Sequence, residues 1–171
     1  NSWELAPWAT VLFYADEKWM RRHVDTVAAE FRGRYIVTVA QRIPEHLQIK
    51  QLRDTGVAGF DPDPGALRTG SNSGYQAIHL AAHFGAARII LLGYDMQVRG
   101  HLTHHHAGHG QRPEIYQAVL AGTFLPKFPN LVEPLRERGI EVINCTPGSA
   151  LKCWPQWALD TALAMESEWV A

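Results

Sequence analysis

Thr69-Gly70-Ser71-Asn72-Ser73-Gly74 is the stretch of this chain best suited to chemistry. Small hydroxyl and amide side chains between glycines open an apolar helix there. Such a loop is built to hold an anion, because free N–H groups and the positive end of the helix dipole face it and no bulky side chain blocks the approach. Gly70, Ser71, Asn72, Ser73 and Gly74 are therefore candidate phosphate or nucleotide ligands. The loop is neither a Walker A motif nor a G-x-G-x-x-G fingerprint, and it also reads as an ordinary helix cap made by Ser71 or Asn72. One strand later Asp95 ends the run Ile89–Asp95. It is placed to meet a metal or a sugar hydroxyl, or to close the strand in an Asx turn. Asp16 carries the same two readings, with helix capping preferred. Asn144, Thr146, Gly148 and Ser149 offer a second polar wall, or a tight strand-to-helix turn.

A histidine cluster follows Asp95: His101, His104, His105, His106 and His109. Imidazole titrates near neutrality, so one of these side chains could act as general base or hold a divalent metal. Their spacing matches no zinc signature, and a solvated loop is the structural alternative. His104 joins Asp95 as a candidate substrate or metal ligand. His79 and His83 lie four apart on one helical face and are expected at its solvent boundary. Cys145 and Cys153 make no disulfide framework; they are expected as reduced, small buried hydrophobes in a cytoplasmic protein.

The elements that must position these groups alternate. The apolar run 10–15 reads as a strand buried on both faces. Residues 17–31 read as a helix capped by Asp16 and ended by Gly33. Strands are expected at 35–40, 88–92 and 140–144, with a short one within 47–52 and a strong turn at Asp61-Pro62-Asp63-Pro64-Gly65. Helices are expected at 73–84, 114–121, 131–138 and 155–170, with Trp154, Trp157 and Trp169 placed on the last of them as core or subunit contact. This order predicts one α/β domain spanning residues 1–171, a three-layer Rossmann-like fold with a mostly parallel sheet. The loops at 14–16, 70–74, 95–109 and 144–149 should then share the carboxyl edge, where open α/β sheets bind ligands.

With 16 Lys and Arg against 17 Asp and Glu, the charge balance demands neither nucleic acid nor a lipid surface. No apolar run approaches the ~18 residues of a membrane span, and no signal-peptide pattern is present.

The run Gly70-Ser71-Asn72-Ser73-Gly74-Tyr75-Gln76-Ala77-Ile78, then Gly85, then Ile89–Asp95, resembles the core of a Rossmann-like group. That group includes the family 42 bacterial sialyltransferases, the archaeal-type hydroxymethylpterin pyrophosphokinases and many proteins encoded by bacterial viruses. Glu141–Leu151 is similar to the sialyltransferase strand that ends in a Cys-Pro-Asn-Ser-Leu-like turn. The resemblance implies that Asn1 stands near a cytidine nucleotide, that Ser71 to Gly74 meet the donor nucleotide, and that Asn144 to Ser149 line its pocket. It also implies a histidine general base, best matched by His109 and next by His106. The group's first strand with its Gly-x-Gly-Pro-Ser-like loop has no counterpart in this sequence, and Gln97 stands where the sialyltransferases have a phosphate-contacting tyrosine.

Three functions compete at this level. One is a glycosyltransferase-like enzyme using a nucleotide sugar, for which the resemblance to the sialyltransferases implies metal-independent chemistry. Another is a pyrophosphokinase in which Asp95 and the histidines hold Mg²⁺ on ATP. The third is a non-catalytic accessory or assembly protein of a bacterial virus, acting in the host cytoplasm, that forms a homo-oligomer through its C-terminal tryptophan helix.

Overall fold

The computed structural model describes residues 2–100, 103 and 112–165. They fall into two compact units: residues 1–56 with 61–67, and residues 57–60 with 68–171. Every strand pairing among the described residues is parallel, as the alternation of elements predicts. The strands form three small sheets, one of three strands and two of two. The fold is thus mixed α/β with small parallel sheets.

In the first unit a 3-10 turn, Ser2–Glu4, precedes β1 (Val11–Tyr14), α1 (Glu17–Glu30), β2 (Tyr35–Thr38) and β3 (Ile49–Gln51). The sheet order is β1-β2-β3, with Val11 opposite Tyr35 and Ile36 opposite Ile49. Thr38, fully buried, closes the strand ends: its Oγ1 donates to the Tyr14 carbonyl at 2.8 Å and accepts from Ala40 N at 2.9 Å. The core here is Tyr14, Met20 and Ala40, flanked by Trp19, Val24, Ile36, Leu47 and Ile49. Only Tyr14 of β1 is buried, so the strand expected to be covered on both faces keeps Val11, Leu12 and Phe13 half-buried. Its apolar run reflects one edge position in a three-stranded sheet, where the outer side has no strand neighbour among the described residues.

Asp16 caps α1 as expected, its Oδ1 accepting from Lys18 N at 2.7 Å. The helix end differs from expectation. Phe31 leaves it in extended backbone, and Gly33 is no left-handed stop. A Cβ at Gly33 would lie 2.0 Å from the Ala9 carbonyl, so close passage of the Ala9 backbone is what requires glycine. Two short strands, β4 (Arg53–Asp54) and β5 (Ala66–Leu67), pair across the Asp-Pro-Asp-Pro-Gly turn. That turn is built as its sequence predicts: Asp61 Oδ1 accepts from Asp63 N at 3.0 Å, and Asp63 Oδ1 accepts from Gly65 N at 2.7 Å.

The second unit holds α2 (Ser73–His83), β6 (Arg88–Leu91), α3 (Pro113–Val119), α4 (Pro129–Arg136), β7 (Glu141–Asn144) and α5 (Leu159–Ala164). A wide π-type turn at 120–124 and a 3-10 turn at 125–127 join α3 to α4, so the chain stays helical well past the expected end near Ala121. β6 and β7 pair from Arg88 opposite Glu141 to Leu91 opposite Asn144. Tyr75, Ile78, Ile89, Leu91, Phe128, Leu131, Leu135, Val142, Leu151 and Trp154 form its core. Each large aliphatic or aromatic side chain buried there contributes about 1.5–3 kcal/mol relative to exposure. The ring of Phe128 touches three others, with centroids 5.9 Å from Tyr75, 6.2 Å from Tyr94 and 6.0 Å from Trp154.

The expected helix 155–170 is a correction. Within the described residues only Leu159–Ala164 is helical. Residues 155 and 156 instead run along β7: Asn144 N donates to the Pro155 carbonyl at 2.8 Å, and Asn144 and Gln156 form a parallel bridge. Trp154 and Trp157 therefore precede the helix. Trp154 is core, and Trp157 packs on Ile143, Cys145 and Ala162. Trp169 lies outside the described residues.

Candidate functional site

The carboxyl ends of β6 and β7 and the start of α2 meet around one residue, Tyr94. It follows β6 after Gly93, and its hydroxyl donates to the Gly74 carbonyl at 3.0 Å. Its main-chain N–H donates to Thr146 Oγ1 at 2.9 Å, and its carbonyl accepts from Ser149 Oγ. A Cβ on Gly74 would stand 2.9 Å from the Tyr94 ring, so the glycine gives the ring its seat against the first turn of α2. Burial pushes the Tyr94 phenol well above its ordinary pKa, so it is a neutral donor at physiological pH.

The candidate anion loop has a particular shape. Gly70 and Ser71 both take left-handed backbone, φ 56 and φ 62, before Asn72 returns to extended. Gly70 leaves no room for a side chain, since a Cβ would fall 2.0 Å from the Tyr75 ring. Asn72, not Ser71, caps the helix: Oδ1 accepts from Tyr75 N at 2.8 Å and Nδ2 donates to the Gly70 carbonyl at 2.9 Å. Its amide is spent on the turn. The main-chain N–H groups of Ser73 and Gly74 donate to no carbonyl or side chain among the described residues, as expected at a helix start. Ser71 and Ser73 are exposed.

The wall at 144–149 is held from within. Asn144, fully buried, donates through Nδ2 to Ser149 Oγ at 3.0 Å and to the Leu151 carbonyl at 3.2 Å, and its Oδ1 accepts from Thr146 N at 3.0 Å. Ser149 N donates to the Thr146 carbonyl at 3.2 Å, with Pro147 and Gly148 (φ 63) between them, the arrangement of a type II turn. Asn144, Thr146 and Ser149 therefore position the edge with side chains that are already bonded, while Pro147 and Gly148 face solvent.

Asp95 and Arg99 complete the edge. Ala150 N donates to the Asp95 carbonyl at 2.8 Å, and the Asp95 carboxylate sits 2.7 Å from Arg99 Nε. Arg99 Nη2 donates to the Pro147 carbonyl, and Gln97 Nε2 donates to that of Gly148. Met96, between Asp95 and Gln97, turns the chain through φ 51 while its side chain packs on the core. The sequence does not single out Tyr94 or Arg99 as contributors, and Gln97 is noted only as a departure from the sialyltransferase tyrosine. The signals were a tyrosine wedged between strand-end glycine and aspartate, and an Asp–Arg pair four residues apart.

Of the candidates, Gly70, Ser71, Asn72, Ser73, Gly74, Asp95, Asn144, Thr146, Gly148 and Ser149 all belong to the second unit, and the Tyr94 contacts join their three segments. The loop at Tyr14–Asp16 belongs to the first unit. Asn1, His101, His104, His105, His106 and His109 lie outside the described residues. His79, expected at the solvent boundary, is fully buried. Its Nδ1 accepts from Arg68 N at 3.3 Å and its ring stacks on Phe60 at 4.2 Å, contacts supplied by the 57–60 segment and by Arg68, which cover that face of α2. No group of three or more metal-ligating side chains forms among the described residues. Both cysteines are free, Cys145 is buried, and burial raises the Cys153 thiol to about 12, so it is not a thiolate at neutral pH. No helix among the described residues is long and apolar enough to cross a membrane.

No protein-family model matches the chain, and neither the curated proteins nor the solved structures contain a significant match to it.

Proposed function

We propose that this chain is a nucleotide-dependent transferase of three-layer, Rossmann-like type, handling a nucleotide sugar at the carboxyl ends of β6 and β7. One observation carries the reading. Three segments far apart in sequence converge on Tyr94, which bonds to Gly74 at the start of α2 and to Thr146 and Ser149 after β7. The place where strands end and a helix begins is where parallel α/β folds bind ligands, with the helix N-terminus toward the phosphate. In this reading Ser73 and Gly74 offer main-chain N–H groups to the nucleotide. His109, or His106 in its stead, removes the proton from the acceptor hydroxyl. Asn1 and the exposed hydroxyls of Ser71 and Ser73 contact the donor.

The Mg²⁺–ATP pyrophosphokinase reading finds less support. Asp95, its expected metal ligand, already faces the Arg99 guanidinium at 2.7 Å, and a cation would have to displace that partner. The experiment is a thermal-shift and calorimetric panel of CMP, CDP, UDP, GDP and ATP, each with Mg²⁺ and with EDTA. A ligand that binds only the native state raises its stability, by about 2.7 kcal/mol at a hundredfold excess over Kd. A response to CMP or another sugar-carrier nucleotide in EDTA is expected. A response to ATP that needs Mg²⁺ would favour the pyrophosphokinase, and a flat panel would overturn nucleotide binding and favour an accessory protein. Loss of turnover in His109→Ala with nucleotide affinity kept is the expected mark of the base.

A further inference from the structure

We infer that Arg99 is the anion-binding side chain of this edge: it takes a phosphate oxygen directly, without a metal, and Asp95 is its positioning residue. This rests on the reading of the β6–β7 edge as a ligand site, and it adds the charge that the reading otherwise lacks. The polar side chains of Asn72, Asn144, Thr146 and Ser149 are all bonded inside the protein. Arg99 differs from them. Its side chain is half exposed, its Nε is held by Asp95 at 2.7 Å and its Nη2 by the Pro147 carbonyl. Nη1 donates to no group among the described residues. One side of the guanidinium is thus partnered, through the Nη2 hydrogen bond and the Asp95 ion pair, while Nη1 has no partner among the described residues.

A guanidinium held in this way is pre-organised. Much of the rotamer entropy that an arginine gives up on binding is already lost, and its planar fork suits two oxygens of one phosphate. Gly148 lies beside this arginine, and its φ of 63 disfavours any side chain there. Asp95 partners the guanidinium and partly offsets its charge, so a phosphate is recognised here mainly through directed N–H donation. Arg99 lies two residues beyond Gln97, whose amide is committed to Gly148.

The test is calorimetry of inorganic pyrophosphate and of CDP in EDTA at low salt, on the wild-type chain and on Arg99→Gln, Arg99→Lys and Asp95→Asn, with thermal melts of each. Wild type is expected to bind both probes, with affinity falling as salt rises. Arg99→Gln should lose roughly 10- to 100-fold in affinity for each, and Arg99→Lys, which keeps charge without the fork, should fall between. Asp95→Asn keeps an oxygen acceptor beside Nε and should keep binding in EDTA and with Mg²⁺ alike, whereas a metal ligand would show as wild-type binding that rises with Mg²⁺ and a variant that loses that rise. An Arg99→Gln variant that melts lower but binds CDP and pyrophosphate as wild type does would make Arg99 a structural clamp and overturn the inference, leaving the nucleotide reading intact. Pyrophosphate bound through Arg99 with no CDP bound would uphold the inference and sink the nucleotide reading. Failure of wild type to bind either probe overturns both.

Discussion

Asn72 and Asn144 stand at the two sides of the same edge and spend identical side chains in different ways. Asn72 is half-buried and caps α2, bonding to Tyr75 and Gly70 within four residues of itself. Asn144 is fully buried and ties three points, Thr146, Ser149 and Leu151, into one turn that in turn grips Tyr94. The cap leaves main-chain donors behind it facing outward, whereas the cross-link leaves nothing over. The ligand-facing capacity of the edge therefore lies with the backbone at Ser73 and Gly74 and with the half-exposed Arg99. The 144–149 segment is the frame that holds them.

The sharpest way to break this contrast is Asn144→Ala. It strands the Thr146 N–H and takes a donor from Ser149 Oγ, while the Leu151 carbonyl keeps its bond from Gln156 Nε2 at 2.9 Å, and it should cost about 2–3 kcal/mol in urea unfolding. A loss near that of an ordinary cap would mean the turn can rewet and is no frame. Asn72→Ala should cost about 1 kcal/mol by the same measurement, and Asn72→Ser should restore most of it. If Asn72→Ala proves the more damaging of the two, the division of labour drawn above is reversed. The smallest effect at neutral pH comes from Tyr75, whose hydroxyl donates to the Gly59 carbonyl at 2.8 Å and whose pKa is raised to about 12, first by burial. The folded state holds this proton more tightly than the unfolded chain does. Its contribution is thus fully present below pH 10 and is lost as pH rises toward 12. Alkaline melts should show that loss, and Tyr75→Phe should flatten it, at a neutral-pH cost of about 0.5–1 kcal/mol for the lost bond to Gly59.

Much of this was legible in the residues. β-branched runs placed β2, β6 and β7, and the Asp16 cap, with a cap at Ser71 or Asn72 left open between the two, came from residue types whose short side chains reach the first free N–H groups of a helix. Ile78, Ala81 and Ala82 face the core as their spacing predicts. What escaped reading was long-range. Nothing local shows that the backbone of Ala9 passes Gly33, that Phe60 and Arg68 cover His79, or that residues 155 and 156 continue along β7 before a helix begins. Apolar periodicity at 155–170 fits a helix equally well, and only the pairing with Asn144 decides against it. At the site the loops were found from their polarity, but the division into bonded frame and available donors depends on partners that sequence spacing does not name. Tyr94 was the costliest omission, since a tyrosine beside an aspartate reads as filler until its hydroxyl is seen on Gly74.

Residues 57–60 belong with the second unit although the chain returns to the first for residues 61–67. This strap supplies Gly59, the acceptor for Tyr75, and Phe60, which stacks on His79 and lies under the Arg138 guanidinium at 4.2 Å. During synthesis the strap leaves the ribosome before any of those partners exist. It must wait for α2 and then for Arg138, nearly eighty residues later by number. Neither unit is thus a contiguous stretch that can be excised by one cut. A fragment starting at Arg68 would be born without the acceptor and the ring that two of its most buried side chains require.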